Sequence, residues 1–113
     1  MKKPERFIEK REEIHVEAVL FCIGQDRLIC VSGGDVPHIG AVSFGNREEA
    51  YHDAARGHKE LLVTEKMFCT LRECVEGNLL VTGGIHLENI TAVQIDAVLA
   101  VCEELTEKIR KRL

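Results

Sequence analysis

The spacing of apolar residues changes along this chain, and the change limits the folds it can adopt. The first part alternates with the two-residue period of strands, and the later part repeats with the period of a helix. The order of these segments predicts β-β-β-α-β-α. It favours an α/β (α+β) two-layer sandwich, with two helices on one face of a mainly antiparallel sheet. We predict strands over 14–23, 27–32, 39–44 and 78–82, and helices starting near 58 and 91.

Local signals mark several boundaries between these segments. Thr91 and Gln94 have the spacing of a capping box, so a helix is expected to begin there. Gly77 stands where the preceding helix would need a C-terminal cap. Residues 46–57 are polar and weakly patterned, which predicts a surface loop with a helical turn. Residues 1–12 are expected to be flexible or to form an edge strand.

The first predicted strand is apolar on both of its faces. Val19, Phe21 and Ile23 share the phase that points away from the predicted helices. An apolar sheet face left in water is costly. We therefore expect a second copy of the chain to cover it, which makes a homodimer the expected state.

Size and charge narrow the classes of function. A chain of 113 residues suits one domain, which we place at 1–113. The net charge is −4 and aromatic residues are scarce, which disfavours nucleic-acid binding. No apolar run is long enough to span a membrane, and the charged N-terminus does not resemble a signal peptide. We expect a cytoplasmic protein whose five cysteines are reduced and mostly in the core.

Three histidines near glycine form the most distinctive chemical pattern. Two segments look alike, Val31–Gly34 before His38 and Val81–Gly84 before His86, and the third histidine, His58, follows Gly57. Paired glycines permit tight turns and close approach of a ligand to the main chain. We interpret the three blocks as one binding site for a small anionic ligand, provided that the chain brings them together.

Other chemistries use the same residues. His38, His58 and His86 could hold zinc, although their spacing is not typical of a zinc site. Acid–base catalysis by His38 or His86 would need a carboxylate partner such as Asp35, Glu60 or Glu88. Nucleophile-elbow, P-loop and dinucleotide-binding motifs are absent from the sequence. Glycine pairs and loop histidines also occur in proteins simply as turns and solvated surface residues.

The three blocks resemble a known family. Ser32–Val42, Gly57–Glu60 and Gly83–Thr91 are similar to the LpdD-like prenylated-flavin chaperones, small accessory subunits of UbiD-type hydroxyaryl and gallate decarboxylases. The resemblance runs from about Ile14 to the C-terminus. It implies a fold like that of the proteasome assembly chaperones and a tendency to dimerise. The polar stretch between Phe44 and Gly57 has no counterpart in the resemblance.

The resemblance implies a non-enzymatic function: holding prenylated FMN or a related flavin and passing it to the large decarboxylase subunit. It implies no catalytic residues and no bound metal. From charge and geometry, we expect Lys59 and the helix-start amides near the flavin phosphate, and the histidines near the phosphate or ring edge. A small metal- or histidine-dependent enzyme and an assembly scaffold without a ligand remain alternatives. The residues expected to line the site are Gly33, Gly34, Asp35, Pro37, His38, Gly40, His58, Lys59, Gly83, Gly84 and His86.

Overall fold

The computed structural model describes residues 3–55 and 61–113. Within them the chain forms one six-stranded sheet and two α-helices. The predicted sandwich with both helices on one face of the sheet is confirmed. The elements are β1 (Glu5–Arg11), β2 (Ile14–Ile23), β3 (Asp26–Gly34), β4 (Ala41–Gly45), β5 (Ala50–Ala54), α1 (Leu61–Leu71), a short 3₁₀ turn (Arg72–Cys74), β6 (Leu79–His86) and α2 (Ala92–Arg110).

The order of strands across the sheet is β1-β2-β3-β6-β4-β5. Neighbours pair antiparallel except β3 and β6, which run parallel. The last strand of the chain therefore lies between β3 and β4, which are consecutive in sequence. The connection from β3 to β4 must cross β6, and this crossing shapes the candidate site described below.

The core lies between the sheet and the two helices. Inward residues of the central strands pack against the apolar stripes of both helices, and Phe68 and Leu105 are fully buried there. Burial of this kind supplies most of the stability of a small domain. The capping box of Thr91 and Gln94 is confirmed, because each side chain bonds the backbone N–H of the other residue.

Two strands, β1 and β5, lie in polar segments whose residues gave no clear strand pattern. β1 is the edge strand that the sequence allowed, and ion pairs join its charged residues to α2 and to Arg112 just after it. Glu5 pairs with Arg112, Arg11 with Glu104, and Glu9 with Lys108. The Lys108 ammonium beside Glu9 lowers the pKa of that carboxyl group. β5 falls inside the segment expected to be a loop, so that prediction was wrong: an exposed edge strand needs no apolar alternation.

Several smaller expectations also change. Gly77 does not cap a helix in a left-handed conformation; the chain ends α1 through the 3₁₀ turn, and a Cβ at Gly77 would lie 2.2 Å from the Asp26 carboxylate. All five cysteines are free, but only Cys102 is buried, so the core expectation holds for that residue alone. Burial raises the pKa of the Cys102 thiol to about 12. Among the described residues, no helix is both long and apolar enough to span a membrane.

Among residues 3–55 and 61–113, no helix covers the sheet face opposite α1 and α2, which we call the open face. Register aligns its outward side chains into lateral rows. Val19 and Phe21 are partly buried by their neighbours, and Ile23 is 52% exposed. The expectation that these residues share an outward apolar face is confirmed. The most apolar row runs across the sheet through Phe21, Leu28, Leu80, Phe44 and Tyr51.

Candidate functional site

The site is built around residues 35–40, which we call the crossing segment. β6 ends level with β3, and the chain runs on from His86 toward α2, so the chain leaving β3 cannot pass around the end of β6. It crosses over β6 on the open face instead. Two backbone hydrogen bonds fix its ends: Asp35 N–H donates to the His86 carbonyl at 2.7 Å, and Gly40 N–H donates to the Gly83 carbonyl at 2.8 Å.

Gly84 is the point at which the crossing segment touches the sheet. A Cβ added to Gly84 would lie 1.6 Å from the His38 carbonyl oxygen and 2.3 Å from its carbon. Gly34, where the crossing begins, has φ +75°, and a Cβ there would lie 2.3 Å from the His86 carbonyl oxygen. Both positions require glycine because backbone passes directly over backbone.

The glycine pairs are therefore not turns. Gly33 and Gly34 lie in the last positions of β3, and Gly83 and Gly84 lie inside β6, which extends to His86. The expectation that Gly83–Gly84 ends a strand at Thr82 was wrong. Parallel pairing sets Gly33 beside Ile85 and Gly34 beside His86, so the two glycine pairs converge at one end of the sheet.

The crossing brings His38 and His86 together. Their ring centroids lie 6.4 Å apart, with the ring planes at 75°. Two carboxylates complete the cluster: Glu88 Oε1 lies 3.1 Å from His86 Nε2, and Asp35 Oδ2 accepts a 3.2 Å hydrogen bond from Glu88 N–H. We call His38, His86, Asp35 and Glu88 the histidine cluster. Asp35 and Glu88 are two of the three carboxylates predicted from the sequence as partners of these histidines, and both lie here. The third, Glu60, lies outside the described residues.

Hydrogen bonds fix how each imidazole is oriented. His38 Nδ1 lies 2.9 Å from the Val36 carbonyl oxygen, which can only accept, so Nδ1 carries a proton. Nε2 is then the acceptor of a neutral His38 ring. The Glu88 carboxylate likewise assigns a proton to His86 Nε2, which makes Nδ1 the acceptor of that neutral ring. The cluster thus combines two imidazole acceptors with two carboxylates.

The remaining predicted site residues divide into two groups. Pro37 is exposed on the crossing segment and Gly40 is buried at its end. His58 and Lys59 lie outside the described residues. Ala55, which precedes their segment, donates its N–H to the Gly40 carbonyl at 2.7 Å, so the chain leaves β5 at the same end of the sheet as the histidine cluster. Among residues 3–55 and 61–113, no three His, Cys, Asp or Glu side chains are placed to hold a metal ion.

A second polar group under α1 escaped the sequence analysis. His52 Nδ1 lies 2.7 Å from Ser43 Oγ, which donates to Thr64 Oγ1 at 3.0 Å, and Thr64 donates to the Leu61 carbonyl. Ser43 and Thr64 are fully buried, so neither hydroxyl reaches solvent as a nucleophile. The chain of bonds satisfies polar groups beneath the helix. Its one sequence signal is the alternation of Ala41, Ser43 and Gly45, which places Ser43 on the inward face.

Comparison with known proteins agrees with this architecture. A sequence model described as the prenylated flavin chaperone LpdD-like domain matches residues 10–113. Protein LpdD of Lactiplantibacillus plantarum is 32% identical over 110 residues, covering 91% of this chain and 80% of that protein. A crystal structure of a chaperone complex for yeast 20S proteasome assembly matches with a TM-score of 0.59 and 10% identity, over 94% of this chain and 95% of that one. At this identity the latter likeness concerns the fold alone.

Proposed function

The chain belongs to the LpdD-like prenylated flavin chaperone family, and from that premise we propose that it binds prenylated FMN, or FMN, as cargo and delivers it to the large subunit of a UbiD-type decarboxylase. The observation that carries the proposal is the meeting of His38 and His86 across the crossing segment. The protein holds the flavin and does not transform it. The free cysteines suit a reducing compartment, so we place this work in the cytoplasm.

The histidine cluster fits the polar edge of a flavin ring better than its phosphate. Asp35 and Glu88 add two negative charges beside the imidazoles, and a phosphate dianion would be repelled by them. The flavin imide edge instead offers an N–H donor between two carbonyl acceptors. An imidazole acceptor nitrogen such as His86 Nδ1 can receive such a donor, and an imidazole N–H can bond a carbonyl. The phosphate is then left to Lys59 and the amides of the predicted helix start, as charge and sequence position predict.

Delivery is tested by mixing the flavin-loaded protein with a decarboxylase large subunit that lacks cofactor. We expect reduced prenylated FMN to co-elute with the purified protein, and the loaded protein to activate the decarboxylase faster than the same concentration of free cofactor. Equal rates with and without the protein would contradict delivery. Conversion of the flavin by the protein alone, or stoichiometric zinc in elemental analysis, would favour the enzyme alternative.

The role of the histidine cluster is tested by variants that keep its internal bonds. His38→Asn retains a donor toward the Val36 carbonyl but removes Nε2, and His86→Gln retains a donor toward Glu88 but removes Nδ1. Each variant is expected to weaken flavin binding about tenfold, because one hydrogen bond contributes roughly 1–1.5 kcal/mol. Fluorescence titration measures the Kd, and thermal unfolding should be unchanged.

The matched control is His52→Asn, which keeps the bond to Ser43 and lies on the helix side of the sheet. Its flavin Kd is expected to equal that of the wild type. If His38→Asn and His86→Gln also bind flavin like the wild type, the histidine cluster does not contact the ligand. That result would favour the alternative of an assembly scaffold without a ligand.

We also propose that the protein works as a homodimer through its open face. Ile8, Phe44 and Tyr51 are 58%, 42% and 61% exposed, and they belong to one side of a single sheet. A contiguous apolar face of this kind is characteristic of protein interfaces. The crossing segment lies on the same face, so a homodimer formed there brings a second copy close to the histidine cluster.

A further inference from the structure

Register sets opposite charges at the two ends of one row on the open face. Antiparallel and parallel pairing align Arg6, Val19, Cys30, Thr82, Val42 and Asp53 across all six strands. Arg6 stands on the edge strand β1 and Asp53 on the opposite edge strand β5. Apolar or uncharged residues fill the positions between them, and the neighbouring row through Phe21 and Tyr51 is also uncharged.

Both end residues project onto the open face. Arg6 bonds Glu17 at 2.9 Å, and Glu17 shares the outward phase of β2 with Val19. In β5, His52 turns inward to Ser43 and Phe68, so the alternating Tyr51 and Asp53 point outward. The Asp53 carboxylate bonds Ala54 N–H of its own strand. Glu17 stays paired with Arg6 when a second copy covers the open face. The Glu17 carboxylate is therefore not left unpaired by that covering.

A two-fold dimer of stacked sheets can align its strands in two ways. If the axis runs across the strands, each edge strand faces its own copy, and Arg6 meets Arg6 while Asp53 meets Asp53. If the axis runs along the strands, β1 of one copy faces β5 of the other, and Arg6 meets Asp53 at both edges. Opposite charges at the rim of an interface favour the second arrangement.

We propose that two copies stack open face to open face with their strands running in the same direction, so that β1 of each copy covers β5 of the other. β3 and β6 are the two central strands of the sheet, so the axis passes between them and each β6 lies over the other copy's β3. Stacked sheets of this kind lie about 10 Å apart, with strands within roughly 30° of parallel.

This orientation has a consequence for the candidate site. Because the strands run in the same direction, both histidine clusters lie at the same end of the sandwich, on either side of the axis. The two crossing segments, each lying over a β6, flank one shared cleft. Each cluster therefore gains a wall from the second copy, and a planar cargo would be enclosed between two chains. The alternative axis would put the clusters at opposite ends and leave each one open.

A charge-swap series on the full-length protein tests the orientation by sedimentation equilibrium, without flavin. Asp53→Lys and Arg6→Glu are each expected to raise the dimer Kd at least about tenfold, since each reverses one contact at both edges, and Arg6→Glu also removes the pair with Glu17. Combining the two changes restores opposite charges between the copies, so the double variant is expected to dimerise more tightly than either single variant. Lys111→Glu, an equal charge change on the helix side, should leave the dimer Kd unchanged.

The opposite arrangement predicts opposite signs. If like edges face each other, Asp53→Asn removes a repulsion and lowers the dimer Kd, whereas the proposed arrangement requires it to rise. Any one of three results overturns the proposal. These are a fall in Kd for Asp53→Asn, a double variant that dimerises no more tightly than either single variant, and a wild-type protein that stays monomeric at a concentration on the order of 100 micromolar. Because no step involves flavin, these outcomes leave the proposed cargo function standing.

Discussion

Replacing Gly84 with alanine is expected to abolish tight flavin binding and to lower stability at the same time. The new Cβ would lie 1.6 Å from the His38 carbonyl oxygen, about half of an ordinary contact distance, so the crossing segment must lift from β6. Lifting it carries His38 away from His86. We expect a loss of roughly 2–3 kcal/mol in the free energy of unfolding, about 10 °C in Tm, and about 100-fold in flavin affinity.

Gly24→Asn is the matched control for this change. Gly24 has φ +59° in the β2–β3 turn, and a Cβ there meets no atom within 4 Å. Asparagine tolerates the left-handed conformation, so its expected cost is below about 1 kcal/mol with unchanged flavin binding. Equal Tm losses in both variants, with binding retained in Gly84→Ala, would show that the crossing segment does not depend on close contact at Gly84.

Phe68→Ala is expected to cost more stability than either Gly84→Ala or Phe44→Ala. Phe68 is fully buried on α1, where its ring meets the His52 ring edge-on at 5.6 Å and the Arg72 guanidinium group at 5.1 Å. Truncation leaves a cavity and removes both aromatic contacts. Values of about 3–5 kcal/mol are typical for such a change, which corresponds to roughly 15 °C in Tm.

Phe44→Ala is the matched comparison for Phe68→Ala, because it truncates the same residue type at an exposed position. Phe44 lies on the open face and is 42% exposed, so its truncation should cost the monomer less than about 1 kcal/mol. It should instead weaken dimerisation, because Phe44 belongs to the apolar row that the second copy covers. Chemical denaturation at low protein concentration separates the two effects. Equal losses for Phe68→Ala and Phe44→Ala would contradict the assignment of core and interface.

Local signals were enough to predict much of the fold. The alternating residues of β2 and the stripe of α2 bury one side of each element, and the Thr91 capping box begins α2 where its spacing indicated. The same signals failed at β5, because an edge strand with both its faces near solvent carries no apolar alternation. They also failed at Gly83–Gly84, since paired glycines indicate either a turn or a strand crossed by backbone.

The candidate site was only partly predictable, because local signals do not specify which strands are neighbours. The residues His38 and His86 stood out by their neighbours in sequence, and Asp35 and Glu88 by their chemistry. That they meet depends on the insertion of β6 between β3 and β4. The Ser43 hydroxyl network and the row that ends in Arg6 and Asp53 follow from pairing between distant strands, which no local pattern specifies.

The sequence by itself determined the periods of the strands and helices, the start of α2, the apolar character of both sheet faces and the family likeness. Each of these depends on residues a few positions apart, whose spacing dictates which side of an element is apolar. Only the tertiary structure decided which strands are neighbours, and hence that backbone crosses Gly84 and joins two histidines. Strand order is set by the burial of all elements together, so it is a property of the whole core and not of any one segment.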